Sequence, residues 1–258
     1  MGVDNASGGP AGSLALLWGL HGRQRRRGRS DISVERIVAV AIEVADAEGL
    51  AAVSMRRIAE AVGVATMSLY SYVPGKNELV DLMLDHAYGE MSRPNEVPGG
   101  WRAKLELVAR ESWRLYRRHP WILQIPNGRV PLGPNAVAKY DYELRTVDGI
   151  GLSEIEMDSV VNLMVAHVES AARRWFEASQ VEQNSGMTDQ QWWAVNGPLL
   201  RNIIDESRFP HAARVGAVTG EAYGSAYEPE QAFEFGLGRV LDGIEVLVEQ
   251  RAVSARLP

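Results

Sequence analysis

Cysteine is absent from this 258-residue chain, so no disulfide, thiolate metal site or cysteine nucleophile can form. That fits a reducing compartment, and the cytoplasm is the expected location. Lysine is nearly absent too, at 3 residues against 24 arginines, a bias that codon usage in a GC-rich bacterial genome produces by itself. No apolar run reaches the ~18 residues of a membrane-spanning helix. Leu14 to Leu20 is apolar but too short, and its arginine run follows it, the reverse of a secretory signal. Also missing are strand-type alternation, a phosphate-binding glycine loop, a nucleophile elbow and any metal-ligand spacing. The five histidines, at positions 21, 86, 119, 167 and 211, are scattered. Acid pairs such as Glu154 and Glu156 read as helix-start charges. The chain is therefore read as all-α and non-enzymatic, with no cofactor, no metal and no membrane partner.

What is present is a division of charge. The formal net charge is −6, yet residues 22–80 carry nine Arg and Lys against seven acids, whereas residues 81–258 carry 18 against 25. Local charge, not the total, governs affinity for phosphate. The basic part also holds the most informative stretch, residues 54–80, SMRRIAEAVGVATMSLYSYVPGKNELV. Ser54 starts a helix with Ile58, Ala59 and Val62 inward, Gly63 permits a tight turn, residues 65–71 form a short helix, and Pro74-Gly75 breaks it. This is a helix-turn-helix, whose second helix lies in the DNA major groove.

Other elements follow from caps and periodicity. Ser33 caps a helix with Ile37, Val40, Ala41, Val44 and Ala45 on one face, closed by Gly49. Lys76 to about Met91 is the next helix, and RPNEVPGG, residues 93–100, separates two domains. Trp101–Arg118, Asn135–Gly149, Ser153–Gln183 (opened by the capping box SEIE), Met187–Glu206 and Pro229–Arg251 are expected helices. The four prolines of PWILQIPNGRVPLGPN exclude a single helix there. Ser207–Glu228, rich in Gly, Ser and Tyr, is expected to be a loop, and residues 1–30 a flexible basic arm.

Residues 33–88, with the spacing IxxxxGVxxxxLYxYV over Ile58 to Val73, resemble the DNA-binding domain of the TetR family of bacterial transcriptional regulators. AFEFGLGRVLDGIE, residues 232–245, resembles the last helix of its tetracycline-repressor branch. The resemblance implies a DNA-binding domain over 31–78 and a ligand-binding and dimerisation domain over 79–258. It implies a homodimer on double-stranded, pseudo-palindromic operator DNA, released by a small-molecule effector. Thr66, Met67, Ser68 and Ser71 would face base edges, with Arg56 as the bidentate reader of guanine. Tyr70, Tyr72 and Lys76 match positions that contact phosphate; packing of Tyr72 against the fourth helix is the lesser alternative. Arg23, Arg25, Arg26 and Arg27, within the run Arg23–Arg29, would enter the minor groove or serve as a solubilising tail.

The dimer face would come from Val160, Leu163 and Met164 on one helix, beside His167, and from Phe233, Leu237, Val240, Leu241, Ile244 and Leu247 on the last one. Gly236, Gly238 and Gly243 would allow close helix approach. Candidate effector-lining residues are Trp113, Tyr116, Trp121, Leu123, Gln124 and Ile125 on one stretch. Asn127, Tyr140, Asn162, His167, Trp175 and Phe176 complete the set, about half of which ordinary core packing would claim. Six of the twelve are aromatic, which suits a bulky hydrophobic or polycyclic ligand. The tetracycline-repressor branch holds a magnesium chelate through histidines. The matching positions here, near Glu90-Met91 and after His119, lack them, which argues against a tetracycline–magnesium effector. A DNA-binding dimer without a small ligand, and an activator, remain the alternative readings.

Overall fold

The computed structural model describes residues 10–20, 32–126 and 131–254. Among them are eleven α-helices, two short 3-10 turns and no strand. The first helix, α1 (Pro10–Leu17), corrects the expectation of an arm flexible throughout. Leu17 is buried, and Trp18 Nε1 donates to the carbonyl of Leu132 at 2.8 Å. Burial of Leu17, with Leu16 packed on the core and α1 set against α5, explains why this stretch does not stay extended.

The head is built from α2 (Val34–Glu48), α3 (Met55–Val62), α4 (Thr66–Leu69) and α5 (Lys76–Gly89). Ser33 and Ser54 each cap their helix by accepting the amide three residues on, at 3.2 Å. Gly63 adopts φ +79 and ψ 34, and the Gly63 and Val64 amides reach back to Glu60 O and Ala59 O. That pair of bonds is a Schellman closure, which needs the left-handed residue only glycine adopts without cost. The tight turn lets α4 start immediately. Ile37, Ala41, Val53, Ile58, Leu69 and Val73 are fully enclosed at its centre. α1 packs on α5, the helix that leaves the head.

The body begins with α6 (Gly100–Arg118) and a 3-10 turn at Pro120–Gln124. α7 (Pro134–Thr146) and α8 (Glu154–Ser185) follow. The α8 capping box is formed in full by Ser153 and Glu156. Next come α9 (Asp189–Ile203) and α10 (Pro210–Tyr223), a hairpin. α10 replaces the loop expected over Ser207–Glu228. Of its two glycines, Gly220 is there for packing: a Cβ on it would lie 2.6 Å from the Trp193 ring, and one on Gly197 of α9 3.0 Å from it. The indole of α9 fills the space both glycines leave.

α11 (Pro229–Ser254) returns antiparallel to α8 and lies along α6. Its register against α6 is marked by charge. Arg102 reaches Asp242 and Glu245, Arg110 reaches Glu234 at 2.6 Å, and Arg117 reaches Glu230 at 2.7 Å. Arginines seven or eight residues apart recur on one helix face, and the acids descend in the opposite order. At Gly236, α11 rides over His167, where a Cβ would stand 2.2 Å from the imidazole Cε1.

Candidate functional site

The head presents α4 outward. Leu69 and Val73 anchor it, while Met67 is 78% exposed and Ser68, Tyr70 and Ser71 share the open surface. Thr66 is half-buried, and Ser71 Oγ donates to Ser68 O at 2.7 Å. The two adjacent arginines of α3 differ in a way that matters. Arg57 is bound to Glu48 at 2.7 Å, whereas Arg56 is exposed with no acidic partner among the described residues. A free guanidinium fork beside a short exposed helix can pair with guanine in the major groove. Tyr72 is half-buried against the head's core, and Lys76 Nζ sits 3.4 Å from Leu50 O. Arg23, Arg25, Arg26 and Arg27 lie outside the described residues.

The head is fastened to the body by a polar joint at the end of α6. His119 is buried between two carboxylates, its Nδ1 2.8 Å from Asp46 of α2 and its Nε2 3.1 Å from Glu90. Trp121 Nε1 donates to the same Asp46 at 2.8 Å, and Gln124 Oε1 accepts the Leu50 amide at 3.0 Å. Burial pushes the Glu90 carboxyl up, but hydrogen bonds from His119 and Arg118 outweigh it and hold it below its ordinary 4.5. A second link runs from α5 to α7. The buried Asp85 accepts the amides of Asn135 and Ala136 at 3.1 and 2.9 Å, and so caps α7 from another helix.

Beyond these joints lie two voids of about 10 Å³ each, one between α6, α7 and α8 and one between α6, α7 and the segment Met91–Arg93. The inner one is apolar, between Leu105, Val108 and Ala109 of α6 and Val161, Met164 and Val168 of α8. The outer one is polar, with Arg93, Glu111, Lys139 and Tyr142 in its wall. Val108 and Glu143 line both. Glu143 is buried and takes Lys139 Nζ at 2.5 Å. Burial holds the neighbouring Tyr88 and Tyr116 phenols well above their ordinary pKa, so both stay protonated.

Of the twelve residues expected around an effector, none of the eleven that are described lines either void. Trp113 stacks on Phe233 at 4.5 Å, and His167 Nε2 lies 3.1 Å from Phe233 O. Tyr116 and Leu123 are core, and Ile125 packs on its edge. Trp121 and Gln124 belong to the joint. Tyr140 and Asn162 are exposed, both bonded to Asp158, at 2.7 and 2.9 Å. Trp175 lies under the Arg117 guanidinium at 5.3 Å, and Phe176 packs on the core edge. Asn127 lies outside the described residues. The reason is general: large aromatics fill space first, and voids remain where smaller residues face each other.

Between α8 and α11 runs an apolar groove of about 520 Å³, with Val160, Leu163, Val240, Gly243, Ile244 and Leu247 in its walls. Nothing within 4 Å would meet a side chain at Gly243 or Gly238. Met164, Phe233, Leu237 and Leu241, expected on the dimer face, are instead 1–2% exposed in the protomer's own core. Residues so enclosed have no surface to offer a partner.

Residues 37–83 match the profile described as bacterial regulatory proteins, tetR family, and residues 93–248 match the tetracyclin repressor-like C-terminal domain. The chain belongs to the TetR family. It is 41% identical to the HTH-type transcriptional repressor DrrR1 of Streptomyces coeruleorubidus, over 96% of this chain and 90% of that one. An HTH-type transcriptional regulator of Saccharopolyspora erythraea is 26% identical, over 69% of this chain and 76% of that one. Among solved structures, ActR of Streptomyces coelicolor in complex with actinorhodin superposes with a TM-score of 0.68 at 27% identity, covering 83% of this chain and 95% of that one. This TetR-family chain is thus a DNA-binding transcriptional regulator with a helix-turn-helix head. No helix among the described residues is long and apolar enough to cross a membrane.

Sequence reading missed Asp85, Arg93, Lys139 and Glu143. Arg93 sat in a segment read only as a break. Lys139 and Glu143 are spaced i, i+4, the pattern of a solvated pair, yet face inward. One usable signal existed on α8, where Val161, Met164, Val165 and Val168 make a second apolar stripe beside that of Val160 and Leu163.

Proposed function

We propose that this chain is a cytoplasmic, homodimeric repressor without catalytic activity. It holds a pseudo-palindromic operator with its α3–α4 heads and lets go when a fused-ring aromatic molecule enters the space between α6, α7 and α8. The observation that carries this reading is the exposed α4 face beside the unpaired Arg56. The repressor DrrR1, 41% identical along nearly the whole chain, supports the repressor sense. ActR holds actinorhodin in the same fold, which supports the effector class. The α8–α11 groove, lined by apolar residues and open glycines, supports pairing of two copies there.

The geometry also supplies a mechanism. Voids of about 10 Å³ cannot admit a multi-ring compound, so an effector binds only a conformer in which α6 has parted from α7 and α8. α6 ends in the His119 joint with α2 and α5, so that parting bears directly on the head. Two heads must stay about 34–36 Å apart to read both half-sites, and a change in that spacing costs affinity. The test is selection of bound fragments from genomic DNA at ~150 mM salt, followed by addition of actinorhodin as the probe. A recovered pseudo-palindrome that the probe releases supports the reading. Recovery of no preferred sequence would sink it, and a preferred site that no fused-ring probe releases would favour the ligand-free regulator.

A further inference from the structure

We propose that Arg93 is the residue that reads the effector, through a carboxylate or phenolate oxygen on the ring edge, and that it passes this contact to α5. The proposal rests on the effector reading above and narrows it to a chemical class. Arg93 follows α5 and lines the polar void. Its Nη2 donates to Tyr88 O, in the last turn of α5, and lies 3.4 Å from Asn135 O, in the first turn of α7. Its Nε–H is buried with no hydrogen-bond partner among the described residues. A buried donor left unmatched is costly, and more so on a cation.

The acids that could answer it are already engaged. Glu143 takes Lys139 at 2.5 Å, and Glu111 takes Arg114 and the Ser92 amide. The open valence in this wall is therefore a donor on a positive charge, and its natural complement is an anionic acceptor oxygen. The adjoining void, across Val108 and Glu143, is largely apolar and marks where the rings would lie once α6 parts from α8. The expected effector is a fused aromatic ring with an acidic oxygen at one end. Its rings point towards α8 and its oxygen towards Arg93.

The same guanidinium gives the contact its consequence. Arg93 bridges α5 to α7, and Asp85 holds the other side of Asn135 through its amide and its Nδ2, each at 3.1 Å. An oxygen drawn to Nε pulls on the fork that ties the end of α5 to α7, and the far end of α5 carries the head. Arg93 is thus a specificity residue for the ligand and a positioning residue for DNA release.

Two matched probes test this: anthraquinone-2-carboxylate and 2-(hydroxymethyl)anthraquinone, which share a ring and differ in the anionic oxygens. The wild-type chain should bind the carboxylate at least about tenfold more tightly, the discrimination one charge-assisted hydrogen bond provides. Arg93→Gln should abolish the preference. Arg93→Lys, which keeps the charge but loses the fork, should retain part of it. Arg145→Gln, which removes an exposed α7 arginine outside both voids, should leave it in place. A cooperative thermal transition in Arg93→Gln reports that the variant is folded, and its operator affinity without probe sets the baseline for release, since the α5–α7 tie is lost with the guanidinium. DNA release by the carboxylate should then require roughly tenfold more probe, in line with the lost contact. Equal binding of both probes by the wild type, or a preference that survives Arg93→Gln or vanishes in Arg145→Gln, would overturn the assignment while leaving the effector reading intact. Binding of neither ring would remove both.

Discussion

Arg56 and Arg57 are neighbours in one helix with the same side chain, and only one is free to read DNA. Glu48 lies within reach of Arg57 because α2 ends beside the start of α3, a tertiary fact that no spacing rule conveys. Arg56 makes no ion pair with that carboxylate or with any other among the described residues. Arg56→Ala should therefore relax discrimination at one base pair of the selected site by about 1–3 kcal/mol. Arg57→Ala should leave the recovered sequence unchanged. Repeating the fragment selection with each variant checks both, and an unchanged consensus with Arg56→Ala would remove its role. The same reasoning explains what the sequence disclosed at this scale. Ser33, Ser54, Gly49 and Gly63 announce themselves, because capping and left-handed backbone are local properties of a residue type. Asp85 and Arg93 do not, since their partners lie about forty to fifty positions further along the chain.

At the scale of elements, helix ends were legible and helix partners were not. α8 opens at the capping box read from SEIE, and α11 starts at the proline marked for it. α10 was misread because glycine was counted as a loop former, whereas Gly220 is needed where the Trp193 indole crosses. Partner choice between α6 and α11 is written in charge, and that makes it sensitive to acid. Hydrogen bonding to Arg110 holds the Glu234 carboxyl below its ordinary 4.5, and Arg102 does the same for Asp242, below 3.8. Glu156, bonded to the Ser153 amide and to Arg251, is lowered to about 2. Folded values below unfolded values mean that these contacts stabilise fully above about pH 4.5. Their contribution is lost as pH falls through the lowered values. The thermal midpoint should therefore decline below about pH 4.5. In Arg102→Ala/Arg110→Ala the decline should be shallower, with a lower plateau at neutral pH. Because the groups are largely exposed, each contribution is small and screened by salt. Melting curves between pH 3 and 7 at low salt read the difference, and identical acid limbs in the two proteins would refute it.

For the whole molecule the decisive question is which face meets a second copy. The sequence offered one stripe on α8, whereas the structure separates adjacent positions to opposite fates. Leu163 is 52% exposed in the wall of the α8–α11 groove, and Met164 is 1% exposed inside the protomer. A helix turns by about 100° per residue, so consecutive apolar residues face different surroundings. Leu163→Arg should accordingly leave the protomer's melting temperature nearly unchanged, since exposed substitutions away from special features stay within about 0.5 kcal/mol. It should abolish the dimer expected of the wild type at micromolar concentration, with light scattering as the readout. Operator affinity should drop by about a hundredfold or more, because each head then binds its half-site alone. Met164→Arg should do the reverse and unfold the protomer by burying an unpaired charge. If Leu163→Arg stayed dimeric with full operator affinity, the groove would be a solvent-facing cleft and the two heads would have to be joined through another surface.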